Sequence, residues 1–307
     1  MTQVQHSADA GVAATAGGQQ GLITRRQIYR AGLDAAAIRR RLRTGRLVEV
    51  LPNVYMIGGA QGGREQEIMA HILWAGLDDT LASHRCAGDL LRLDGMRDAP
   101  IEIVTTRKLR PISDVIIHRV REIKPVDRWT IGGIPTTHPA RTALDLAGVL
   151  EWEAAEEALE EMLLRDFLAL ARLRWQSETA GGRGVGGSAH VGRFLADRPR
   201  GYVPLKSPLE LRVRRVLRAA RIPEPLYEHP VRLSTGWTVH PDFSWPDRVT
   251  TVEVESYRWH GGRVVWERDI ERYEALRRDG WTVIRITAKM LHEQRTTFIA
   301  DVRDALR

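Results

Sequence analysis

Apolar positions along the chain fall into blocks of different period. Residues 1–18 are Ala, Gly, Gln, Thr and Ser with almost no apolar period, which predicts a disordered tail. From Leu22 the pattern tightens. Thr24-Arg25-Arg26-Gln27 places Thr at an N-cap and Gln three residues on, a capping box that opens a short helix ending at Ala31-Gly32. Asp34 caps a second helix running from Ala35 to Thr44, and Gly45 supplies its left-handed stop. Leu47–Leu51 and Val54–Ile57 flank Pro52-Asn53 and read as strand, turn, strand. Helix, tight turn, helix and hairpin predict a winged helix-turn-helix over residues 19–58.

Residues 59–200 read as a mixed α/β domain. Glu65–Trp74 has a helical period, while Ile101–Val104 and Val115–His118 read as strands. Glu151 to Arg174 predicts one long helix dense in Glu and Leu. The glycine-rich stretch 181–188 lacks the Lys-Ser/Thr end of a phosphate-binding loop and is expected to be a hinge. Residues 201–307 give the order α-β-β-β-α-β-α, a third domain built on one mixed sheet. The expected fold class is multi-domain α/β.

Composition narrows the setting. No stretch approaches the ~20 apolar residues of a membrane helix, and residues 1–20 lack the charged-then-apolar order of a secretory signal. Cytoplasmic residence is the expectation. A single cysteine, Cys86, excludes an internal disulfide and a thiolate zinc cluster. His84, Cys86, His118 and His138 sit on different elements and are not expected to form a metal set. The net charge is +7, and it concentrates at the two ends: +6 over residues 20–58 and +4 over 201–307, against −2 over 59–200. Such a distribution points to an acidic partner at the ends, and nucleic acid is the commonest.

The second helix carries most of that signal. Ile38 and Leu42 mark its buried side, and Arg39, Arg40, Arg41, Arg43 and Arg46 crowd the remainder. Arginine suits the O6/N7 edge of guanine in the major groove, and several guanidiniums add salt-dependent attraction to phosphate. The alternative is a solvated face in an arginine-rich chain, since Arg outnumbers Lys 42 to 4. The stretch Gly21 to Thr24, Arg46 to Val50 and Asn53 to Tyr55 resembles the winged-helix domain of AbiEi-type antitoxins. Ser83-His84-Arg85-Cys86-Ala87-Gly88 and Thr137 to Ala147 are similar to the region that follows it in such proteins. The resemblance implies a DNA-binding repressor with a cognate toxin as partner.

The C-terminal domain holds a second constellation. Strand alternation puts Val252 and Val254 on one face and Thr251, Glu253 and Glu255 on the other. Same-face carboxylates two residues apart lie only about 7 Å from each other. If the preceding strand pairs as a hairpin, Asp242 joins them, and three converging acids need a cation to relieve their repulsion. Oxygen ligands of this kind suit Mg²⁺ or Mn²⁺, which can activate water for phosphodiester cleavage. Each acid also has a plainer reading. Asp242 can serve a turn, the two Glu can form a wet strand face, and Glu210 fits the capping box that Ser207 opens.

Pro241-Asp242, Glu253-Val254, Trp259-His260-Gly261, Arg268-Asp269 with Arg272, and Gly280 to Arg285 resemble the restriction-endonuclease-like, PD-(D/E)xK superfamily. The nearest branch is that of small domains related to very-short-patch-repair endonucleases. The resemblance implies Asp242 and Glu253 as metal ligands and His260 as general base or phosphate donor; Glu255 joins the candidate ligands and catalytic acids by strand parity, and Arg268 and Arg272 either line the DNA path or solvate their helix. The chain departs from the pattern at Glu255-Ser256, where the superfamily has Lys and the nearer branch Asp-Gly. Glu moves the carboxylate by a methylene, and Ser removes an easy positive-φ turn. Two functions therefore stay open: a Mg²⁺-dependent DNA endonuclease in antiphage defence or a toxin–antitoxin setting, and a non-enzymatic antitoxin or repressor on a degenerate nuclease scaffold. Homodimerisation is compatible with both.

Overall fold

The computed structural model describes residues 2–60, 62–110, 112, 114–180, 186–198, 202, 205–255 and 263–307, with side chains left undescribed for 2–7, 180 and 263–270. The chain divides into two compact units, Met1–Tyr202 and Val203–Arg307. The winged helix and the middle region, expected as separate domains, belong to the same unit.

The N-terminal segment departs from its expectation. Thr2–Gly17 is a helix, α1, and its Ala8, Val12 and Ala16 are buried at four-residue spacing against Ile23, Ile28, Ile38 and Tyr55. The disordered tail is thus corrected to a packed helix. Its stripe is made of small residues, which carry little hydrophobic period yet let two backbones approach closely. β1 (Leu22–Thr24) follows, then α2 (Arg25–Arg30), opened by the full Thr24/Gln27 capping box. α3 (Ala35–Arg43) is capped by the Asp34 carboxylate, which accepts from the Ala37 N–H at 2.7 Å. β2 (Leu47–Leu51) and β3 (Val54–Ile57) form the hairpin, and β1 adds to β3 in a three-stranded sheet of order β1-β3-β2. Asn53 takes the turn's left-handed position at φ +63°, which Asn tolerates better than most residues.

Helix α4 (Arg64–Ala75) welds this wing to the middle region. Met69 and Leu73 pack on Leu22 and Val54, while Ile68 and Ile72 enter a different cluster with Ile101, Ile103 and Ile134. That cluster lies on a five-stranded sheet of order β6-β5-β4-β8-β7, formed by β4 (Thr80–Ala82), β5 (Ile101–Thr105), β6 (Val115–Arg119), β7 (Arg128–Ile131) and β8 (Ile134–Thr137). The short helix α5 (His84–Leu90) joins β4 to β5. A helical layer follows in α6 (Pro139–Ala147), α7 (Trp152–Leu164), α8 (Leu170–Ala180) and α9 (Ser188–Ala196). The single helix expected over 151–174 is broken after Leu164: Asp166 turns left-handed at φ +56°, and Phe167 and Leu168 fold back toward the core. Residues 181–185 of the expected hinge lie outside the described residues.

The second unit is built on a four-stranded mixed sheet of order β14-β13-β12-β9. Its elements are α10 (Pro208–Ala219), β9 (Leu226–Tyr227), β10 (Val231–Arg232), β11 (Thr238–Val239), β12 (Phe243–Trp245), β13 (Thr250–Glu255), α11 (Arg263–Arg278), β14 (Thr282–Thr287), α12 (Ala288–Glu293) and α13 (Arg295–Ala305). β10 and β11 pair as a separate two-stranded ladder, so the segment Trp237–Trp245 serves two sheets. β13 and β14 run parallel with α11 as their crossover. Leu209, Val213 and Leu217 of α10 pack with Phe243, Val252, Ile286, Phe298 and Val302 in the core of this unit.

Because α1 supplies part of the winged-helix core, placing a charge in its stripe should loosen the wing. Val12→Asp should lower the denaturant midpoint of the full chain, at a cost of a few kcal/mol, about the range for an unpaired buried charge. Equal midpoints for Val12→Asp and wild type would mean that α1 does not hold the wing.

Candidate functional site

Two surfaces bear the residues singled out by the sequence. On the winged helix, α3 buries Ala37, Ile38 and, unexpectedly, Arg41. Arg41 Nη2 donates to Asp9 Oδ1 of α1 at 2.6 Å, and Nη1 donates to the Ala37 carbonyl at 3.1 Å. Arg41 is therefore corrected from a DNA contact to an internal strut. Arg39, Arg40, Arg43 and Arg46 remain exposed. Sequence reasoning missed Arg25, Arg26 and Arg30, which are exposed on α2. The guanidinium of Arg25 lies over the Tyr29 ring at 5.5 Å and donates from Nε to its hydroxyl at 2.8 Å. At the wing, the Glu49 carboxylate accepts from the Asn53 N–H at 3.0 Å and braces the turn, with Val48 and Val50 exposed beside it. The outcome is a cationic ridge formed by a capped helix and the helix before it.

The acids of the second unit lie where β12 meets β13. The antiparallel register pairs Phe243 with Val252, so Asp242 sits at the strand mouth beside Glu253. Asp242 Oδ2 accepts from the Val254 N–H at 2.8 Å. Glu253 is fully buried, and Arg272 on α11 donates from Nη2 to its Oε2 at 2.7 Å. Glu255 is paired with Arg285 of β14. The hairpin reading of Asp242 and Glu253 holds, while Glu255 is drawn to the arginine of the neighbouring strand. Arg272, expected along the DNA path, is turned inward onto Glu253. His260 lies outside the described residues, and of Arg268 only its place on α11 is described.

Glu210 adds a carboxylate to this group. It completes the cap expected of it, with Ser207 Oγ accepting from the Glu210 N–H at 3.2 Å and Glu210 Oε2 accepting from the Lys206 N–H at 2.8 Å. It also faces Asp242. Burial, then the Asp242 charge, push Glu210 up to about 7. Burial likewise raises Asp242, against the opposing pull of the Val254 N–H and Arg272. Cap and acidic cluster are one feature here.

A Mg²⁺ or Mn²⁺ ion at these carboxylates would have to share or displace the partners they already hold. Glu253 is engaged by Arg272, Glu255 by Arg285 and Asp242 by a backbone N–H. Among the described residues, the only set of three such side chains with ligand atoms within a common ion's reach is elsewhere, at His84, Glu102 and His118. His84 and His118 lie on different elements, as expected, yet α5 and β6 bring their rings into a stack.

A raised carboxyl costs stability when it ionises. Glu210 ionises at 4.5 in a solvated chain and at about 7 here, so stability of the second unit should fall as pH rises through that window. Glu210→Gln should flatten this slope in denaturation followed between those limits, and an unchanged slope would place the titration elsewhere.

Three kinds of known protein resemble this chain. Residues 12–58 match the family of transcriptional regulators described as AbiEi antitoxin. The uncharacterised proteins MT2308 and Rv2248 of Mycobacterium tuberculosis, strains CDC 1551 and H37Rv, are each 26% identical over 252 residues, covering 80% of this chain and 87% of theirs. A crystal structure of the RV2827C protein from the same species is 18% identical and covers 66% of this chain and 86% of that one. Its TM-score of 0.38 is too low to carry an argument. Across the described residues, no helix is long and apolar enough to cross a membrane. The winged-helix segment, and only that segment, is the part of the chain matched by the antitoxin regulators.

Proposed function

We propose that this protein is a DNA-binding transcriptional regulator of the antitoxin kind, in which α3 enters the major groove and α2 and the wing straddle the backbone. The observation that carries the reading is the outward row Arg39, Arg40 and Arg43 on a helix capped and braced from behind, with exposed Arg46 just after it. The family match over residues 12–58 supports it independently. Regulators of this kind act where the chromosome is, so the cytoplasm follows as its place. A cognate toxin as protein partner and a homodimeric state belong to the same proposal, the latter because duplex operators reward two-fold symmetry.

The second unit is read as a non-cleaving module. An arginine already neutralises the buried Glu253, and a second pairs with Glu255 at the place where the chain departs from the nuclease pattern. Glu253 and Glu255 each meet a cation within the protein, and the nuclease scaffold that the sequence resembles would serve binding. The endonuclease reading keeps one favourable observation, the side-by-side placement of Asp242 and Glu253 with Glu210 nearby.

Two measurements test these readings. In fluorescence anisotropy with a short labelled duplex, wild type should show a steep fall of log affinity with log salt. Replacing Arg39, Arg40 and Arg43 together by Ala should shallow that slope by about 2–3, near 0.9 per lost phosphate contact. An unchanged slope would remove α3 from the interface. Supercoiled plasmid incubated with the full chain in Mg²⁺, Mn²⁺ or EDTA should be retarded and remain uncut. Metal-dependent cutting that Asp242→Ala abolishes would make the protein an endonuclease.

A further inference from the structure

The middle region contains a polar cluster that neither DNA binding nor the acids of the second unit use. Ser83 follows β4 at the N-cap position of α5, His84 opens α5 with its backbone in the left-handed region at φ +49°, Glu102 lies in β5 and His118 in the adjacent β6. The imidazoles of His84 and His118 stack with centroids 3.5 Å apart and planes 15° from parallel. His118 Nε2 is 3.9 Å from Glu102 Oε2, and one ligand atom from each of the three residues lies within 4.8 Å of the others. We propose that His84, Glu102 and His118 bind one divalent transition-metal ion of the zinc class.

The donor set is the first argument. Two imidazole nitrogens and one carboxylate oxygen make the three-ligand set that zinc accepts, with a fourth position left to water. The second is the state of the donors. His84 Nδ1 is 2.9 Å from Ser83 Oγ, which orients the ring and leaves Nε2 for an ion. Buried His118 Nε2 has no hydrogen-bond partner among the described residues.

Glu102 is held ready in the same way. Arg85 donates from its backbone N–H to Oε2 at 3.0 Å and from Nη1 to Oε1 at 2.6 Å. A carboxylate has about four acceptor sites, so both oxygens keep one. Beside the set, Asp127 and Asp145 share the Arg141 guanidinium, and Asp145 Oδ2 is buried without a hydrogen-bond partner among the described residues. The His118 side chain is 25% exposed, with its Nε2 buried. Tetrahedral zinc spaces its ligand atoms about 3.3 Å apart. Closing on the ion therefore needs a short contraction and a hinging of the stacked rings so that their lone pairs converge.

The test uses the untagged full chain, stripped with a chelator and titrated calorimetrically with Zn²⁺. One ion per chain is expected, with His118→Gln and His84→Ala each weakening binding by more than about tenfold. His71→Gln, a histidine outside the cluster, should bind as wild type does. Should either cluster variant fail to fold, imidazole ¹⁵N shifts of wild type carry the test, since coordination moves the nitrogens of two histidines together. Absence of binding in wild type, retention of full affinity in His84→Ala and His118→Gln, or shifts at histidines outside the cluster would overturn the proposal.

Discussion

The inward turn of one arginine governs what the N-terminal unit can do. Arg41 is anchored to Asp9 of α1, and with Ala37 and Ile38 it marks the face that α3 turns to the core. Arg39, Arg40 and Arg43 then have nowhere to point except outward. A half-buried ion pair gives modest net stability, because desolvation offsets much of the Coulomb gain. Its contribution here is register: it keeps guanidiniums that would otherwise be interchangeable in distinct roles. α1 is part of this device, since its small-residue stripe sets the distance at which Asp9 meets Arg41.

The second unit follows the same rule to a different end. Buried carboxylates need a cation, and whichever cation arrives first defines the chemistry. Glu253 and Glu255 are met by Arg272 and Arg285, each from an element that packs against β13. Each guanidinium engages one oxygen of its carboxylate, Arg272 that of Glu253 and Arg285 that of Glu255. Asp242 and Glu210, both raised by burial, stay closer to neutrality than surface acids would.

Much of this was legible in the sequence, and the rest was hidden for physical reasons. Caps are local, so Thr24/Gln27, Asp34 and Ser207/Glu210 could be read directly and recur in the structure. The Asp242–Glu253 pairing follows from strand parity and a hairpin, both short-range. The fold of α1 was not legible, because alanine stripes carry no hydrophobic period. The break after Leu164 depends on Asp166 adopting a left-handed conformation that composition does not announce. Arg41 looked like its neighbours because its partner lies 32 residues away, and His84 meets His118 only through sheet pairing between β5 and β6. Arginine and histidine differ most in role where long-range contacts decide, and single-sequence patterns are blind there.

The central claim is that α3 is the DNA-reading element and that its arginines act from a helix fixed by the core. Backbone amide shifts recorded on the full chain during titration with a short duplex test it most directly. Perturbations concentrated at α2, α3 and the β2–β3 turn, with the side-chain resonances of Arg41 unmoved, are the predicted result. Shifts confined to the second unit, with the α3 amides unchanged at saturating DNA, would contradict it.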